Sequence, residues 1–349
     1  EISGEQIAEQ VYAVAHGSLV KNAASKKHKK DIAMVVNRPP TKKRKPGRRP
    51  VVNTFETFGN SNPLNSDLDS MQMAIIKSGK ARGTGILYIS YTDKSRSGQL
   101  TIWLPSLRKT RRMNEPAHED TWVGTNLTYG ELVLRRPEHE IHEKQKDSTF
   151  EGCLLAMKLN PWEVNRYTKK LPGPQCEHQG KPVYVLKSTT KFKDWWYDYH
   201  ISEVDKETFA LYRTVYYKDG EKIKTVVIDW QSLELADPRV SYPRYIYAVT
   251  HTTGIDSMIY VPRSTISLNQ SLSDNFWSEK TLKKYGKLIK AIKEAGYPVY
   301  TTYDWIKNPG KKGVIIRHDV DRKPKNALRM ATLEMENKIR TTYYFRILK

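Results

Sequence analysis

The chain has 349 residues, of which 38% are hydrophobic and 10% aromatic, and its formal net charge is +21. This length suits two average domains of ~150 residues, and the 21 Tyr and 8 Trp exclude a disordered chain and favour β-sheet. Because no run of about 18 apolar residues occurs, the sequence predicts no membrane-spanning helix. It contains no Gly-rich phosphate loop and no Ser elbow of the GxSxG type, and we expect no cofactor.

The first predicted element is an amphipathic helix of about three turns. Ser3 and Gln6 form a capping-box pattern, Ile7 and Val11 begin the apolar face, and Gly17 ends the helix.

The next segment, residues 26–49, is strongly basic, with 11 Lys or Arg and one acid, Asp31. Residues 281–349 hold 17 basic and six acidic residues, and the rest of the chain is neutral, with 31 of each. Residues 26–49 have three possible interpretations: a solvated loop, a contact with anionic lipid headgroups, or a nucleic-acid-binding arm. Nucleic acid is the least favoured partner because no stacking aromatic residues interleave with the charges.

From residue 51 to residue 261 the chain alternates between short β-rich segments and turns. Asp219-Gly220 between two such segments is a strong two-residue hairpin signal. The spacing predicts a large antiparallel sheet in meander order. The predicted strands are 51–58, 71–76, 86–91, 99–104, 183–188, 195–204, 210–217, 222–230, 245–251 and 256–261.

The composition and the periodicity change near residue 281, where we place a domain boundary. A Lys-rich helix ending at Gly296, an apolar strand at 313–317, a helix at about 324–337 and a strand at 341–347 follow. The last three elements make one βαβ unit. We therefore expect two domains, residues 1–280 and residues 281–349.

Cys153 and Cys176 are the two cysteines of the chain. In an oxidising compartment they can close a disulfide, whereas in a reducing cytosol they remain two thiols. Their spacing does not resemble a zinc site. The sequence leaves both alternatives open.

Several ordered motifs in residues 1–280 resemble the outer-membrane lipoprotein-sorting family, the group related to the carrier LolA. They are ARGTGIL at 81–87, WLPSLRKTRRM at 103–113, DTWVGTNLTYGEL at 120–132, GKPVYVL at 180–186 and LSDNFWS at 272–278. The resemblance implies an α+β fold in which a large curved antiparallel sheet, a half-open β-barrel, is covered by helices.

The same resemblance implies a periplasmic carrier for lipid or lipoprotein, without catalysis, with acyl chains and membrane transport proteins as partners. The start at Glu1, without Met, fits a chain whose signal peptide has been removed, and equally a trimmed chain. The residues assigned to the lipid are Ile86, Tyr88, Trp103, Leu104, Trp122 and Tyr129. The alternative is an ordinary β core with no cavity.

A basic cluster beside the second motif is the candidate for binding headgroups. Arg108, Arg111 and Arg112 can hold phosphate or carboxylate groups, since Arg binds both bidentately. The competing interpretation pairs them with acids such as Glu115 and Glu131 on neighbouring strands.

Residues 314–321, VIIRHDVD, resemble the first motif of the polysaccharide deacetylase family. By that resemblance Asp319 is a general base and Asp321 a ligand of a divalent metal. The family's later His-x-x-x-His pair is absent from residues 281–349, and a catalytic zinc typically has three protein ligands. We therefore interpret 281–349 as an incomplete deacetylase-like segment and expect no enzyme.

Overall fold

The computed structural model describes residues 2–16, 19–61, 63, 65–93, 95–105, 107, 109–113, 117–270, 272, 276–278, 292, 294–307, 312–320, 331, 334–335 and 338–345. The chain forms two compact units, Glu1–Leu282 and Lys283–Lys349.

Within its described residues, the first unit is built on one antiparallel sheet of sixteen strands. The strands of the first half are β1 (Asn22–Ser25), β2 (Ala33–Arg38), β3 (Val51–Asn60), β4 (Leu68–Ile76), β5 (Gly85–Tyr91), β6 (Gln99–Leu104) and β7 (Lys109–Met113). Those of the second half are β8 (Glu140–Lys144), β9 (Ser148–Thr149), β10 (Pro182–Thr190), β11 (Tyr199–Asp205), β12 (Leu211–Lys218), β13 (Glu221–Ser232), β14 (Ser241–Thr250), β15 (Asp256–Tyr260) and β16 (Ile266–Leu268).

Two meanders meet in the middle of this sheet. The order is β7-β6-β5-β4-β3-β2-β15-β14-β13-β12-β11-β10-β8, with β1 between β3 and β16, and with β9 beside β10. The pairing of β2 with β15 places Val35 opposite Ile259 and joins the two halves. Among the described strands, β7 and β8 end the sheet without pairing to each other, so the barrel is not closed. The predicted antiparallel meander is confirmed.

The predicted local signals are mostly confirmed. Helix α1 (Gly4–Ala15) begins at the capping box of Ser3 and Gln6. Asp219 and Gly220, with φ of 49° and 80°, form the turn between β12 and β13. The strand predicted from Trp195 is wrong at its start, because Asp194 adopts a left-handed conformation (φ 51°) and β11 begins only at Tyr199. The pattern did not reveal β1, β2, β7, β8, β9 or β16.

Alternating side chains give the sheet two buried faces. Val35, Ile86 and Ile259 belong to the core of one face, which we call the inner face. Their neighbours Val36, Leu87 and Met258 lie on the opposite, outer face.

A separate segment covers each face. The inner cover, residues 117–136, contributes Trp122, Leu127 and Leu134 to the inner core. The outer cover, residues 150–181, contributes Phe150 and Leu154 to the outer core. Helical cover is limited: α1 packs Ile7 on β10 and β11, and the inner cover contains a π-helical turn, Gly130–Leu134.

The second unit contains two short parallel strand pairs. Strands β17 (Val299–Tyr300) and β18 (Val314–Ile315) form one pair, and β19 (Arg317–Val320) and β20 (Thr342–Phe345) form the other. A short helix, α2 (Thr302–Lys307), follows β17. Most of the two helices predicted here, at 281–296 and about 324–337, lies outside the described residues.

Candidate functional site

A cavity of about 360 Å³ lies between the inner face of the sheet and the inner cover. Most of its walls are aliphatic or aromatic side chains. Its lining residues include Val14, His16, Ala74, Ile86, Tyr88, Leu100, Trp122, Tyr129, Leu132, Val133, Trp230, Tyr242, Ile259 and Leu268. The volume lies near the lower end of the ~300–1,000 Å³ that is usual for small-molecule pockets.

The inner cover forms one wall of this cavity. Trp122 packs edge-to-face on Phe55 of β3, with the ring centroids 5.2 Å apart. Val123 has φ of 48° and ψ of 36°, a left-handed conformation that is rare for a β-branched residue. The next wall residues, Leu132 and Val133, lie in the π-helical turn. Strained or π-helical backbone of this kind is frequent where a segment contacts a ligand.

The structure brings four of the six residues assigned to lipid binding together at this cavity: Ile86, Tyr88, Trp122 and Tyr129. The other two are not among its lining residues. Trp103 packs against the cluster of Phe58 and Leu87 on the outer face, because it pairs with Gly85 and therefore points opposite to Ile86. Leu104, the last residue of β6, pairs with Lys109 at the edge of the sheet.

The three predicted headgroup residues do not form one cluster at the cavity. Arg111 and Arg112 are exposed neighbours on the edge strand β7, so their side chains leave opposite faces of the sheet. Neither lines the cavity, and Arg108 lies outside the described residues. Of the acids considered as their partners, Glu131 pairs with Lys224 instead, and Glu115 is also outside the described part.

Several wall residues were not found from the sequence. Trp230 and Tyr242 come from β13 and β14, and Val14 and His16 from the end of α1. His16 connects two walls: its Nδ1 lies 3.1 Å from the carbonyl oxygen of Tyr12, and its Nε2 lies 3.3 Å from that of Val133. Burial lowers the pKa of His16 to about 4, so the ring is neutral near neutral pH. Apolar alternation in β13 was the available signal for Trp230, but it did not identify the face.

Beyond the cavity, towards β8, β10, β11 and β12, the inner face becomes polar. Glu140 Oε1 accepts a hydrogen bond from Tyr197 Oη at 2.7 Å and lies 3.1 Å from His200 Nε2. Arg135 of the inner cover donates to Tyr216 Oη at 2.8 Å. Burial alone would raise the pKa of Glu140, but His200 and Arg135 hold it well below its usual range.

One buried ion pair fixes the inner cover and another fixes the outer cover. Lys224 of β13 pairs with Glu131 of the inner cover, and their side chains are 5% and 4% exposed. On the other face, Arg38 of β2 pairs with Glu163 of the outer cover at 3.1 Å and with Asp256. Charged groups buried this deeply are retained only when they are paired.

The basic segment 26–49 is divided by β2 into two separate surfaces. Exposed Lys27, Lys29 and Lys30 precede the strand, and the exposed basic residues at 42–49 follow it. Six strand residues span about 20 Å, so the two groups cannot act as one patch. Since β1 and β16 line the cavity, the first group lies nearer to it. Arg38 is buried and Arg44 half-buried, and both pair with Asp256.

The outer cover differs from the inner cover in its covalent structure. Cys153 and Cys176 are joined by a disulfide within it. Phe150 and Leu154 pack beneath it with no exposed surface.

In the second unit, the deacetylase-like motif is only partly described. His318 Nε2 lies 2.7 Å from Glu334 Oε1, and its ring packs on Tyr343. Asp321 and the side chain of Asp319 lie outside the described residues. Their assignment as metal ligand and base therefore stays a prediction from resemblance.

Comparison with solved structures identifies the class of fold. A domain from Vibrio parahaemolyticus, described as an outer membrane lipoprotein-sorting protein domain, covers 80% of this chain and 98% of its own, with a TM-score of 0.57 and 16% identity. A DUF1329 family protein from Desulfovibrio piger covers 80% and 97%, with a TM-score of 0.58 and 14% identity. A LolA superfamily protein from Nitrosomonas europaea covers 80% and 100%, with a TM-score of 0.49 and 12% identity. The fold predicted from the motif resemblance, a large curved antiparallel sheet that is not closed into a barrel, is confirmed.

The chain itself belongs to the protein family whose model matches residues 67–284 and whose description reads "Uncharacterized protein". No curated protein matches it significantly. Among the helices that the described residues form, none is long and apolar enough to cross a membrane.

Proposed function

We propose that residues 1–282 form a carrier that holds an acyl chain of a lipid or lipoprotein in the inner cavity. The observation that carries this proposal is the apolar cavity of about 360 Å³ beneath the inner cover. An acyl chain gains about 0.8 kcal/mol for each CH₂ that leaves water. Contacts with Ile86, Tyr88, Trp122 and Tyr129 supply that environment.

In this proposal the inner cover is the part that moves to admit the ligand. Its π-helical turn and the left-handed Val123 store strain of about 1–2 kcal/mol, which an open form can release. Towards the polar half of the inner face the cover is fixed by the Lys224–Glu131 pair. The cavity side, where His16 contacts Val133, is the side that opens.

We further propose that the carrier works in the periplasm. The disulfide between Cys153 and Cys176 supports an oxidising compartment. The partners are acyl chains and membrane transport proteins, and exposed basic residues at 27–30 and 42–49 contact anionic membrane surfaces. Arg111 and Arg112 add an exposed basic edge on β7, and no cofactor or catalytic step is part of the proposal.

For the second unit we retain the proposal of an incomplete deacetylase-like α/β segment without catalytic activity. The parallel pairing of β19 with β20 supports it.

The test is a titration of the full chain with a dansyl-labelled fatty acid, read by energy transfer from tryptophan. We expect saturable binding, and at least tenfold weaker binding by Ala74→Phe, which fills part of the cavity. Ala156→Phe is the matched control, because Ala156 is a half-buried alanine packed on the outer core.

A second pair of variants assigns the binding signal to the cavity. Trp122→Phe changes a wall residue and should weaken the affinity for the labelled fatty acid, whereas Trp103→Phe changes a tryptophan that does not line the cavity and should leave the affinity unchanged. Absence of saturable binding to the unaltered chain, or equal affinity of Ala74→Phe, refutes the proposal.

A further inference from the structure

The outer face carries a group of potential metal ligands that the carrier proposal does not use. Glu177 and His178 lie in the outer cover directly after Cys176, and Asp229 lies on β13. One donor atom from each of the three residues lies within 4.8 Å of the other two. The group therefore connects the outer cover to the sheet.

The separations of these donor atoms suit a small divalent ion. His178 Nε2 is 3.5 Å from Asp229 Oδ1 and 3.9 Å from Glu177 Oε1. Two ligands about 2.1 Å from a tetrahedral zinc are about 3.4 Å apart. The first separation is already close to that value, and the Glu177 side chain, which is 55% exposed, has room to rotate towards the other two donors.

A second observation comes from the imidazole of His178. The residue is 5% exposed, and neither of its ring nitrogens makes a well-formed hydrogen bond, since Nε2 approaches Asp229 Oδ1 only to 3.5 Å. Its ring is held by stacking on Tyr212, with centroids 4.4 Å apart, and its Nε2 faces Asp229 and Glu177. Buried polar atoms normally make well-formed hydrogen bonds, so an imidazole directed between two carboxylates without one points to a further partner.

Arg244 and Gln231 contact both carboxylates, and Arg244 lies 3.7 Å from Glu177 Oε1. Asp229 is fully buried, and its Oδ2 already accepts a hydrogen bond from Arg244, which orients the carboxylate and leaves Oδ1 towards the group. The Gln231 amide donates to Asp229 Oδ1 at 3.1 Å and to Glu177 Oε1 at 3.0 Å. If the Gln231 amide group rotates by about 180°, its oxygen, in place of its NH₂ group, faces a bound cation.

We infer that Glu177, His178 and Asp229 bind one structural Zn²⁺, with Gln231 as the candidate fourth ligand, and that the ion ties the outer cover to β13. One imidazole nitrogen with carboxylate oxygens is a zinc donor set, whereas Ca²⁺ and Mg²⁺ prefer oxygen ligands alone. Among the clusters formed by the described residues, this is the one with ligand spacing. The inference is independent of acyl binding, since the site lies on the opposite face of the sheet.

The test uses the full chain with its disulfide intact, because reduced Cys153 and Cys176 would themselves bind zinc. Metal content after dialysis against Zn²⁺, titration calorimetry with Zn²⁺, and the visible absorption of a Co²⁺-loaded sample are measured. We expect one ion per chain, tetrahedral Co²⁺ absorption, and a melting temperature that rises with Zn²⁺ but not with Ca²⁺.

Three variants distinguish this site from other binding. His178→Gln and Glu177→Gln should each weaken Zn²⁺ binding at least tenfold and remove the rise in melting temperature, while His251→Gln, outside the group, should bind as the unaltered chain does. Glu177 is exposed, so its variant remains informative if His178→Gln does not fold. Less than stoichiometric zinc, or unchanged binding by Glu177→Gln, overturns the inference and leaves His178 as an ion-pair partner of Asp229.

Discussion

The two covers of the sheet pack in different ways. The outer cover, closed by a disulfide, packs Phe150 and Leu154 onto the sheet with no exposed surface. The inner cover leaves a cavity of about 360 Å³ beneath Trp122 and Tyr129. The comparison contrasts a fully packed part of the outer face with an inner face that keeps a cavity, as the proposed carrier function requires. Three predictions test it, from the largest expected effect to the smallest.

Removing one buried charge from each cover should have unequal effects on stability. Glu131→Gln leaves Lys224 buried without a counter-charge, so the free energy of unfolding should fall by about 3 kcal/mol or more. Glu163→Gln should cost only about 1 kcal/mol, because Arg38 keeps Asp256 as a partner. Urea unfolding measures both values.

The double variant Glu131→Gln with Lys224→Met is the control, since removal of both charges should restore most of the lost stability. Equal losses for the two single variants would contradict the proposed difference between the covers.

Truncating one leucine in each cover should show how tightly that cover packs on the sheet. Leu154→Ala in the outer cover removes a fully buried side chain and should cost about 3 kcal/mol. Leu132→Ala, at the cavity wall, should cost about 1 kcal/mol, because Leu132 is half-buried and adjoins empty space. The measurement is again urea unfolding, and similar losses would show that the inner cover packs as densely as the outer one.

Acid should weaken the inner cover through His16. The unfolded chain protonates this residue below its ordinary pKa of 6.5, whereas burial lowers the pKa in the folded state to about 4. Between these values the unfolded state binds more protons, so the free energy of unfolding falls as the pH decreases, by about 1–3 kcal/mol at pH 4.

The check is urea unfolding between pH 6.5 and pH 4. His16→Asn should give a flatter pH profile than the unaltered chain, and His28→Asn, at an exposed residue, controls for the loss of a histidine. An identical slope for the His16 variant would exclude this group as the cause.

The parts of the fold that could be predicted are those set by neighbouring residues. The capping box at Ser3, the Asp219-Gly220 turn and the alternation of Ile86 with Leu87 each depend on short-range geometry. Ile86 and Tyr88 line the cavity together for the same reason, since alternation places them on one side of their strand, whereas Trp122 and Tyr129 were assigned through the motif resemblance.

The remaining features depend on contacts between distant parts of the chain. A basic run suggests a solvated loop, yet Arg38 is buried because Asp256, 218 residues away, pairs with it. Trp230 and Tyr242 line the cavity only because β2 and β15 bring the two halves of the sheet together. Trp103 was assigned to lipid binding through a motif, but the pleat of β6 directs its side chain to the outer face. Patterns of neighbouring residues in the sequence contain no information about these long-range pairings.

The junction between β2 and β15 has a consequence for how the first unit is assembled. Met34 pairs with Tyr260, so two strands far apart in the sequence form the centre of the mature sheet. Until residues 256–260 have been synthesised, β2 is an uncovered edge with free backbone donors and acceptors. Pairings of such high contact order form slowly. The nascent chain therefore exposes an aggregation-prone strand edge at the position that becomes the centre of the folded sheet.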